Sequence, residues 1–339
     1  TTPVTNPENH TLYAHFTINK YQVNISVDPE GKGTTTGAKG YDYNEKVTVT
    51  ATASAGYHFV KWTENGNEKS KDASYIFNMP ANNVVLVAHF EIDTYTVKIS
   101  KIGATAGGTI GIGELASPEV LTKSGVEFNS TIDLYEKANT GYTFAGWFKE
   151  ATGQISLGVT DENGVATYTV PAQKANGATI NLYAKFTENA YNIIFKENVP
   201  ENASTECKGI TPGMTSIAYT ASVNLEKNNF TLEGYTFTGW KDSEGKSYVD
   251  RQSVSKLSAV DEDVVKLYAQ WSANKYTVSF GSEKLTDATV GSMPANIPVT
   301  FDSAFVTSIS VPVAAGYTFT GWFTSTGVAV TNGEGTING

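Results

Sequence analysis

Histidines are the first residues to consider for chemistry, because imidazole is both a common metal ligand and a general base near neutral pH. The chain has four of them. His15 and His89 lie at the position that Lys185 and Gln270 take in equivalent segments. The same alignment places His58 at a position held elsewhere by threonine: Thr143, Thr236 and Thr318. A metal ligand or general base would not tolerate these replacements in an array of equivalent sites, so we interpret the three histidines as solvated surface residues.

The other side chains that perform catalysis are not grouped in the sequence. Serine, histidine and aspartate do not form the pattern of a nucleophile elbow or a triad, and no pair of carboxylates recurs at a fixed position. The sequence therefore predicts a protein that is not an enzyme, with no catalytic residues and no cofactor.

Two acidic stretches could offer oxygen ligands to calcium: Asp161-Glu-Asn-Gly164 and Asp261-Glu-Asp263. Neither has the alternating ligands and the terminal Glu of an EF-hand loop, so we interpret the first as a turn and the second as a solvated loop. Cys207 is the single cysteine, so it forms no internal disulfide and has no partners for a zinc site. We predict no metal site and assign Cys207 no role.

Aromatic side chains are the remaining candidates, because Trp and Tyr can stack against sugars. The five tryptophans recur at regular positions, which favours a place in the core over a binding platform. Tyr13, Tyr183 and Tyr268 lie on the opposite face of their predicted strand and are better candidates for an exposed binding surface. The sequence alone identifies no binding residue.

Composition bears on the classes of partner. The chain of 339 residues has 24 Lys and Arg against 34 Asp and Glu, a net charge of −10, and Arg251 is its only arginine. Recognition of nucleic acids depends on a basic surface rich in arginine, so no nucleic acid partner is expected. No apolar run approaches the roughly 20 residues of a membrane-spanning helix. Residues 1–9 lack a signal-peptide pattern, so we expect any secretion signal to have been removed or to lie outside this fragment.

Three sequence patterns recur along the chain and divide it into units. The pattern Gly-Tyr-x-Phe-x-x-Trp, which we call the signature, occurs four times: Gly56–Trp62, Gly141–Trp147, Gly234–Trp240 and Gly316–Trp322. The pattern Leu-aromatic-Ala-x-aromatic closes a unit: Leu12–Phe16, Leu182–Phe186, Leu267–Trp271 and a looser form at Leu86–Phe90. A third pattern opens a unit: Tyr21–Ile25, Tyr95–Ile99, Tyr191–Phe195 and Tyr276–Phe280.

These patterns predict the tail of a preceding repeat at 1–19, followed by four repeats. Their ranges are 20–93 (repeat 1, divergent), 94–189 (repeat 2, with insertions), 190–274 (repeat 3) and 275–339 (repeat 4, without its closing strand). Each opening Tyr follows the preceding closing aromatic residue by five positions, as from Phe90 to Tyr95. A flexible tether would not need a constant length, so we predict that the repeats form a semi-rigid, elongated rod.

Within a repeat, apolar and polar residues alternate with the period of two that is typical of half-buried strands. Leu182, Ala184 and Phe186, for example, share one face of a closing strand. The dipeptide Asn65-Gly66 after the first signature predicts a hairpin turn. No window has apolar residues at helical spacing, so we predict at most one short helix per repeat.

The three patterns resemble the Listeria/Bacteroides repeat, also called the internalin B-type B repeat, from about Leu12 to Trp322. Repeats 2 to 4 match it well, and repeat 1, with Gly56-Tyr-His-Phe-Val-Lys-Trp62, is similar to the divergent form of the same repeat. The resemblance implies a mainly β fold, a tandem array of small β-grasp-like modules without known catalytic residues. It also implies a bacterial cell-surface or secreted protein.

Three departures from the family pattern carry expectations of their own. Repeat 1 has Lys61 where the other repeats have Gly before Trp, and repeat 2 has insertions around Gly103–Gly125 and Ala151–Gly177 that we expect to alter loops or add strands. The chain starts with a spare closing strand, Leu12–Phe16, while repeat 4 lacks one. We therefore predict weak head-to-tail contacts between molecules. In the alternative, residues 1–19 pack on repeat 1, and repeat 4 is completed by another part of its own chain.

The sequence thus predicts a non-catalytic repeat region of an extracellular bacterial protein, at the cell surface or secreted, which acts as a stalk or spacer and as an adhesion module. The alternative is a module that binds a host protein or a surface glycan through exposed aromatic or acidic loops. We expect a monomer or weak head-to-tail contacts. Isopeptide crosslinks from Lys to Asn or Asp require a buried geometry that a sequence does not reveal, so they stay an open question at this stage.

Overall fold

The architecture is taken from a computed structural model. It describes these residues: 3, 5, 7–103, 107–114, 119–154, 156–157 and 164–338. The chain divides into two compact units, Thr1–Thr187 and Glu188–Gly339. The division falls two residues before the predicted end of repeat 2.

Repeat 1 consists entirely of strands and connections. Its strands are β1 (Lys20–Asp28), β2 (Gly33–Thr36), β3 (Gly40–Asp42), β4 (Lys46–Ala53), β5 (Tyr57–Glu64), β6 (Asn67–Ser70), β7 (Ser74–Asn78) and β8 (Val84–Ile92). One sheet has the order β3-β1-β8-β5-β6, and a smaller sheet has the order β2-β4-β7. The opening strand β1 is parallel to the closing strand β8, which is antiparallel to the signature strand β5. The closing strand is therefore central in the sheet although it is last in the sequence.

The core of repeat 1 follows from the alternation along these strands. Val47 and Val49 of β4 are fully buried, and the threonine between them faces outward. Apolar residues from β1, β5 and β8 join this core, which includes Trp62 and Leu86. Because side chains of a strand point alternately to its two faces, the period of two in the sequence places one apolar face of each sheet inward.

Repeat 2 keeps the strand order of repeat 1 despite its insertions. Its strands are β9 (Thr94–Lys101), β10 (Gly108–Ile112), β11 (Thr122–Glu127), β12 (Thr131–Ala138), β13 (Tyr142–Phe148), β14 (Val165–Thr169) and β15 (Thr179–Glu188). The two sheets have the orders β11-β9-β15-β13 and β10-β12-β14, with β9 and β15 parallel. The described parts of the two insertions thus lengthen connections around strands that repeat 1 also has. Residues 104–106, 115–118, 155 and 158–163 of these insertions lie outside the described residues.

Repeat 3 has the same large sheet and two small ones. Its strands are β16 (Ala190–Lys196), β17 (Cys207–Lys208), β18 (Met214–Ala218), β19 (Val223–Asn224), β20 (Thr231–Leu232), β21 (Tyr235–Lys241), β22 (Ser247–Tyr248), β23 (Ser253–Val254) and β24 (Val264–Ala273). The large sheet has the order β18-β16-β24-β21-β22, and β17 pairs with β20 and β19 with β23. The closing strand β24 is again central, parallel to β16 and antiparallel to β21.

Repeat 4 is built differently, because no closing strand is present among its described residues. The strands β25 (Lys275–Val278) and β26 (Ile297–Thr300) form an antiparallel pair. Beyond this pair the described part of repeat 4 has isolated bridges, such as Phe323 to Ala329. The segment Leu12–Phe16, which has the closing pattern, is exposed and is not a strand. The central position of the large sheet in repeat 1 is occupied by β8, and Asn19 accepts a hydrogen bond from the Tyr43 N–H of that repeat. The packing of residues 1–19 on repeat 1 stays a prediction.

The described residues contain no α-helix, so the mainly β prediction is confirmed. In the described parts of repeats 1 to 3, small sheets pack on the large sheet. The β-grasp likeness itself stays a prediction. Asn65 and Gly66 have positive φ angles of 49° and 80° between β5 and β6, which confirms the predicted hairpin turn. No helix long and apolar enough to cross a membrane occurs in the described part of the chain.

Candidate functional site

The signature aromatics are packed in the cores of the first three repeats. Trp62, Trp147 and Trp240 have no exposed surface, whereas Phe144 and Phe237 are half-buried at the core edges. In repeat 3 the Phe237 ring packs edge-on against Trp240, with ring centroids 4.9 Å apart. The buried tryptophans therefore present no face to a sugar, as their regular spacing predicts.

The indole rings of the signature tryptophans have the same unpaired polar group, the Nε1–H. The Nε1–H of each signature tryptophan is shielded from solvent and has no acceptor among the described residues: Trp62, Trp147, Trp240 and Trp322. A buried donor without an acceptor costs free energy. The gain from burying the large ring outweighs this cost, so the indole contributes through its size and shape.

Repeats 1 and 2 are connected through Asp93, inside the first unit. The Asp93 N–H donates to the Gly56 carbonyl at 2.8 Å, and the Asp93 carbonyl accepts from the Phe128 N–H at 2.9 Å. The Phe128 ring packs edge-on against Tyr57, with centroids 6.4 Å apart. The residue between the two repeats is thus bonded to both of them.

Repeats 3 and 4 meet in the same way inside the second unit. The Asn274 N–H donates to the Gly234 carbonyl at 2.8 Å, and its carbonyl accepts from the Phe301 N–H at 2.9 Å. Phe301 packs edge-on against Tyr235 at 5.7 Å. Gly234 has a φ of +80°, and a Cβ there would lie 2.2 Å from the Phe301 ring. The signature glycine is therefore required both by its own backbone angle and by the neighbouring repeat.

An equivalent backbone bond precedes repeats 1 and 3. The Tyr43 N–H donates to the Asn19 carbonyl at 2.9 Å, and the Tyr219 N–H donates to the Asn189 carbonyl at 2.8 Å. Asn19 thus occupies, at the end of the predicted tail, the position that Asp93 and Asn274 occupy at the ends of repeats 1 and 3. An Asp or an Asn therefore directly precedes each of the four repeats.

The two junctions differ in the chemistry of their side chains. His58 Nδ1 lies 2.9 Å from Oδ1 of the buried Asp93, and the His58 side chain is 35% exposed. At the equivalent place in the second unit, Thr236 Oγ1 donates to Asn274 Oδ1 at 2.5 Å. The first junction has an ionisable pair and the second a neutral one. The interpretation of His58 as a freely solvated residue is therefore wrong, because burial of Asp93 requires a partner for its carboxylate.

The second junction contains a further carboxylate. Asp302 accepts hydrogen bonds from the Ser204 hydroxyl at 2.5 Å, the Ser204 N–H at 2.9 Å and the Tyr235 hydroxyl at 3.1 Å. The bonds from Ser204 hold the pKa of Asp302 below its usual range. Asp302 belongs to repeat 4 and its three donors to repeat 3, so these bonds add to the connection.

The other histidines of the repeats differ from each other. His89 Nε2 lies 2.8 Å from Oγ1 of the buried Thr63, and His89 Nδ1 lies 3.0 Å from Asp28 Oδ2. These bonds connect three strands of the large sheet of repeat 1. His15 is exposed, as expected of a solvated residue. No group of three or more His, Cys, Asp or Glu that could hold a metal ion occurs within the described ranges.

The acidic and thiol candidates have local structural roles. Asp261 Oδ1 accepts from the Ala190 N–H at 2.9 Å and Asp263 Oδ1 from the Val264 N–H at 2.7 Å, so both orient the backbone around the closing strand. Residues 161–163 lie outside the described residues. Burial raises the pKa of the Cys207 thiol and so disfavours its reactive thiolate form. These observations identify no ligand for either group.

One partly buried carboxylate has no counterpart in the other repeats. Glu136 lies on the inward face of β12 after Ile132 and Leu134, at the position that Ala51 takes in repeat 1. Burial raises its pKa, and Oε2 has no hydrogen-bond partner among the described residues. Sequence reasoning missed this residue, although a charge at the third position of an alternating apolar run was the available signal.

The strand order and the junctions define a protein built of small β repeats in tandem, and comparisons with known families agree with this class. The family described as the divergent InlB B-repeat domain matches residues 23–94. The Listeria-Bacteroides repeat domain matches residues 104–185, 191–270 and 276–338. The chain therefore belongs to the family of Listeria-Bacteroides repeats, with a divergent InlB B-repeat as its first member.

Individual relatives are similar to the chain over part of their own length. A protein of Evansella cellulosilytica described as a Gly-rich membrane protein is 26% identical over 318 residues, which cover 92% of this chain and 32% of that protein. Internalin H of Listeria monocytogenes is 29% identical over 181 residues, 50% of this chain and 30% of that protein. The chain thus spans about a third of the length of the curated relatives it matches.

Among solved structures, the Bacillus anthracis TIE protein matches with 10% identity and a TM-score of 0.30. The match covers 75% of this chain and 51% of that one.

Proposed function

We propose that the chain is a non-catalytic repeat region of a bacterial cell-surface or secreted protein, in which it acts as a stalk or spacer and presents an adhesive function. The observation that carries the proposal is the junction seen in each unit. A single Asp or Asn bonds to the signature glycine of one repeat and to the next repeat. A backbone bond on each side and a ring contact across the junction restrict rotation, as a spacer requires.

The four-repeat division forms part of this proposal, with boundaries at 20–93, 94–189, 190–274 and 275–339. Repeats of roughly 75 residues, each with a radius of gyration near 11 Å, would reach on the order of 120 Å if placed in line. The support for an extended arrangement is the constant connector length in the sequence together with the bonds at Asp93 and Asn274.

Small-angle scattering of the whole chain tests the spacer function. We expect a maximum dimension on the order of 120 Å. Insertion of four Gly and Ser residues after Asp93 should broaden the distribution of distances, because the chain could then rotate between repeats 1 and 2. The same insertion between Asn65 and Gly66, in an exposed hairpin, is the matched control. A maximum dimension equal to that of one globule of this mass would contradict the proposal, as would an Asp93 insertion without effect.

Surface location is a separate part of the proposal, supported by family membership. Brief protease treatment of intact bacteria that make the protein, followed by detection with antibody against the chain, tests it. Loss of the signal from intact cells would agree with an extracellular position. Full retention, with digestion only after lysis, would contradict it.

A second candidate function is the binding of a host protein or a surface glycan. Three apolar side chains of repeat 3 favour it, because they are exposed in connections outside the core: Ile210, Val249 and Val260. Val260 directly precedes the acidic residues Asp261 to Asp263. A glycan array and a panel of purified host-surface proteins test this candidate, with Val260→Ser compared with the parent chain. Absence of binding by the parent chain to both sets would reject it.

A further inference from the structure

The dipeptide Asn-Gly is chemically reactive as well as typical of turns, and it recurs along the chain. The pairs begin at Asn65, Asn163, Asn176, Asn332 and Asn338. In such a pair the backbone nitrogen of the glycine can attack the side-chain amide carbon of the asparagine, because glycine has no side chain to block the approach. The pairs at Asn65 and Asn176 both lie in the first unit, and both residues of each are described. They allow one reaction to be compared in two surroundings.

The pair Asn65-Gly66 forms the tip of the hairpin between β5 and β6. Both residues are exposed, and a Cβ built on Gly66 would have no heavy atom within 4 Å. Neither the Asn65 side chain nor the Gly66 N–H has a hydrogen-bond partner among the described residues. The electrophile and the nucleophile of the reaction are therefore both open to solvent and held by no other part of repeat 1.

The hairpin that carries this pair is weakly attached to its repeat. The strand β6 lies at the edge of the large sheet, and its first three residues, Asn67 to Lys69, are exposed. Segments with little buried surface open at a small cost in free energy. In the closed turn both residues of the pair have positive φ angles. Opening of the hairpin releases the Asn65 backbone from this conformation, so that the Gly66 nitrogen can reach the side chain.

The pair Asn176-Gly177 is held at both reacting groups. Asn176 Oδ1 accepts a hydrogen bond from the Thr94 N–H at 2.8 Å, and the Gly177 N–H donates to the Thr94 carbonyl at 2.8 Å. Thr94 is the first residue of β9, which pairs with both β11 and β15 in the large sheet of repeat 2. The reaction at Asn176 therefore requires both bonds to break beside a strand with two neighbours, which costs more free energy than opening an edge hairpin.

We propose that Asn65 is a site of spontaneous deamidation, and that the fold directs the reaction to Asn65 rather than to Asn176. The Gly66 backbone nitrogen forms a bond to Cγ of Asn65, and the side-chain nitrogen leaves as ammonia, which gives a five-membered succinimide ring. Water then opens the ring at either carbonyl. One product is aspartate, and the other is isoaspartate, in which the main chain runs through the former side chain. The inference is independent of the spacer function.

The isoaspartate product changes the hairpin, because it adds a methylene group to the main chain of a tight turn. Glu64 lies opposite Asn67, so the loop between the strands has only the two residues of the pair. The length and type of such a loop fix the register of a hairpin. A longer main chain in this loop therefore separates β6 from β5 and breaks the ion pair of Glu64 with Lys69, whose charged atoms lie 2.8 Å apart. The lysines Lys69 and Lys71 then lie in an unpaired segment.

Mass spectrometry of peptides from the whole chain, incubated at neutral pH for increasing times, tests the site. We expect deamidation at Asn65 to be at least about tenfold faster than at Asn176, because the two positions differ in the cost of local opening. In concentrated urea the two rates should become similar, since both pairs have the same reacting sequence. Equal rates in the folded chain, or a faster reaction at Asn176, would overturn the proposal. A rate difference of the same size in urea would overturn the fold as its cause.

Limited digestion with trypsin tests the effect on the hairpin, and methylation by an isoaspartate-specific methyltransferase measures the isoaspartate. We expect the incubated chain to be cleaved faster after Lys69 and Lys71, in proportion to its isoaspartate, and at an unchanged rate after Lys174, beside Asn176. Freshly prepared Asn65→Asp is the matched control, because it has the new charge without the added methylene, and it should be cleaved like the fresh parent chain. Unchanged cleavage of the incubated chain, or equally fast cleavage of Asn65→Asp, would overturn the predicted separation of β6.

Discussion

Repeats 3 and 4 have the same signature, Gly-Tyr-Thr-Phe-Thr-Gly-Trp, but only repeat 3 buries its tryptophan fully. Trp240 is covered by the closing strand β24 and has no exposed surface, whereas Trp322 borders an open groove. The flanking glycines and the ring contacts of the signature are nevertheless present in both repeats. The comparison shows that the signature specifies its own local conformation, while the closing strand supplies the burial.

The largest expected effect is a difference in stability between variants of Trp240 and Trp322, the signature tryptophans of repeats 3 and 4. Trp240→Ala should destabilise repeat 3 by about 3 to 5 kcal/mol, because it leaves a large cavity in a closed core. Trp322→Ala should cost about 1 kcal/mol, since the ring is only partly covered and borders an open groove. Hydrogen exchange followed by mass spectrometry on peptides of each repeat measures both values, because a chain of several repeats need not unfold in one step. Equal losses would mean that burial by the closing strand is not the source of the difference.

The half-buried phenylalanines of the signature, Phe237 in repeat 3 and Phe319 in repeat 4, should show a smaller difference in stability between the two repeats. Phe237→Ala should cost about 2 kcal/mol, less than a fully buried Phe, because part of its surface is already exposed. Phe319→Ala should cost less again, because repeat 4 gives the ring fewer neighbours. Local hydrogen exchange is again the measurement. A cost above about 4 kcal/mol for Phe237 would show that the ring is more important to the core than its exposure indicates.

The ring contact across the second junction should have a moderate effect. Phe301→Ala removes the edge-on contact with Tyr235 and should weaken the connection by about 1 kcal/mol. We expect faster amide exchange at Asn274, whose N–H bonds to Gly234, with the core of repeat 3 unchanged. Phe128→Ala is the matched variant in the first unit and should act on Asp93 in the same way. Unchanged exchange at both amides would contradict a role for these rings in the junctions.

The smallest expected effect is a pH dependence of the second junction. The folded pKa of Asp302 is lowered by the hydrogen bonds from Ser204, so the ionised form stabilises the junction above the ordinary carboxylate pKa. This contribution should be lost as the pH falls through the lowered pKa. NMR titration of Asp302 and the exchange rate of the Ser204 amide, corrected for intrinsic exchange, measure it. Ser204→Ala should bring the Asp302 pKa closer to its usual value, and an unchanged titration would contradict the assignment.

The sequence predicted the strands well because their signals are local. Alternation marked β4 and the closing strands, Asn65-Gly66 marked a tight turn, and the repetition of the signature marked the cores. The order of strands within a sheet was not predictable from these signals. A central position for the last strand depends on pairing between residues as far apart as Ile25 and Leu86, which no local pattern records.

The junction residues were also missed, for a related reason. The connector length was visible in the sequence, but the partners of Asp93 and Asn274 lie in distant loops and strands. The comparison of equivalent positions in the repeats suggested that threonine can replace His58 and that His58 is therefore solvated. The structure shows that the partner changes with it, from Asp93 to Asn274, so the pair keeps a hydrogen bond while its charge changes.

The central position of the closing strand has a consequence for a chain that emerges gradually, from a ribosome or through an export pore. A repeat can form its outer hairpins early, but its large sheet stays split until the final ten residues, such as β24, are free to enter. Each repeat is then completed in one late step, and pairing between such distant residues is intrinsically slow. Completion of a repeat outside the pore would oppose its backward movement, so the same topology that delays folding would favour one direction of transport.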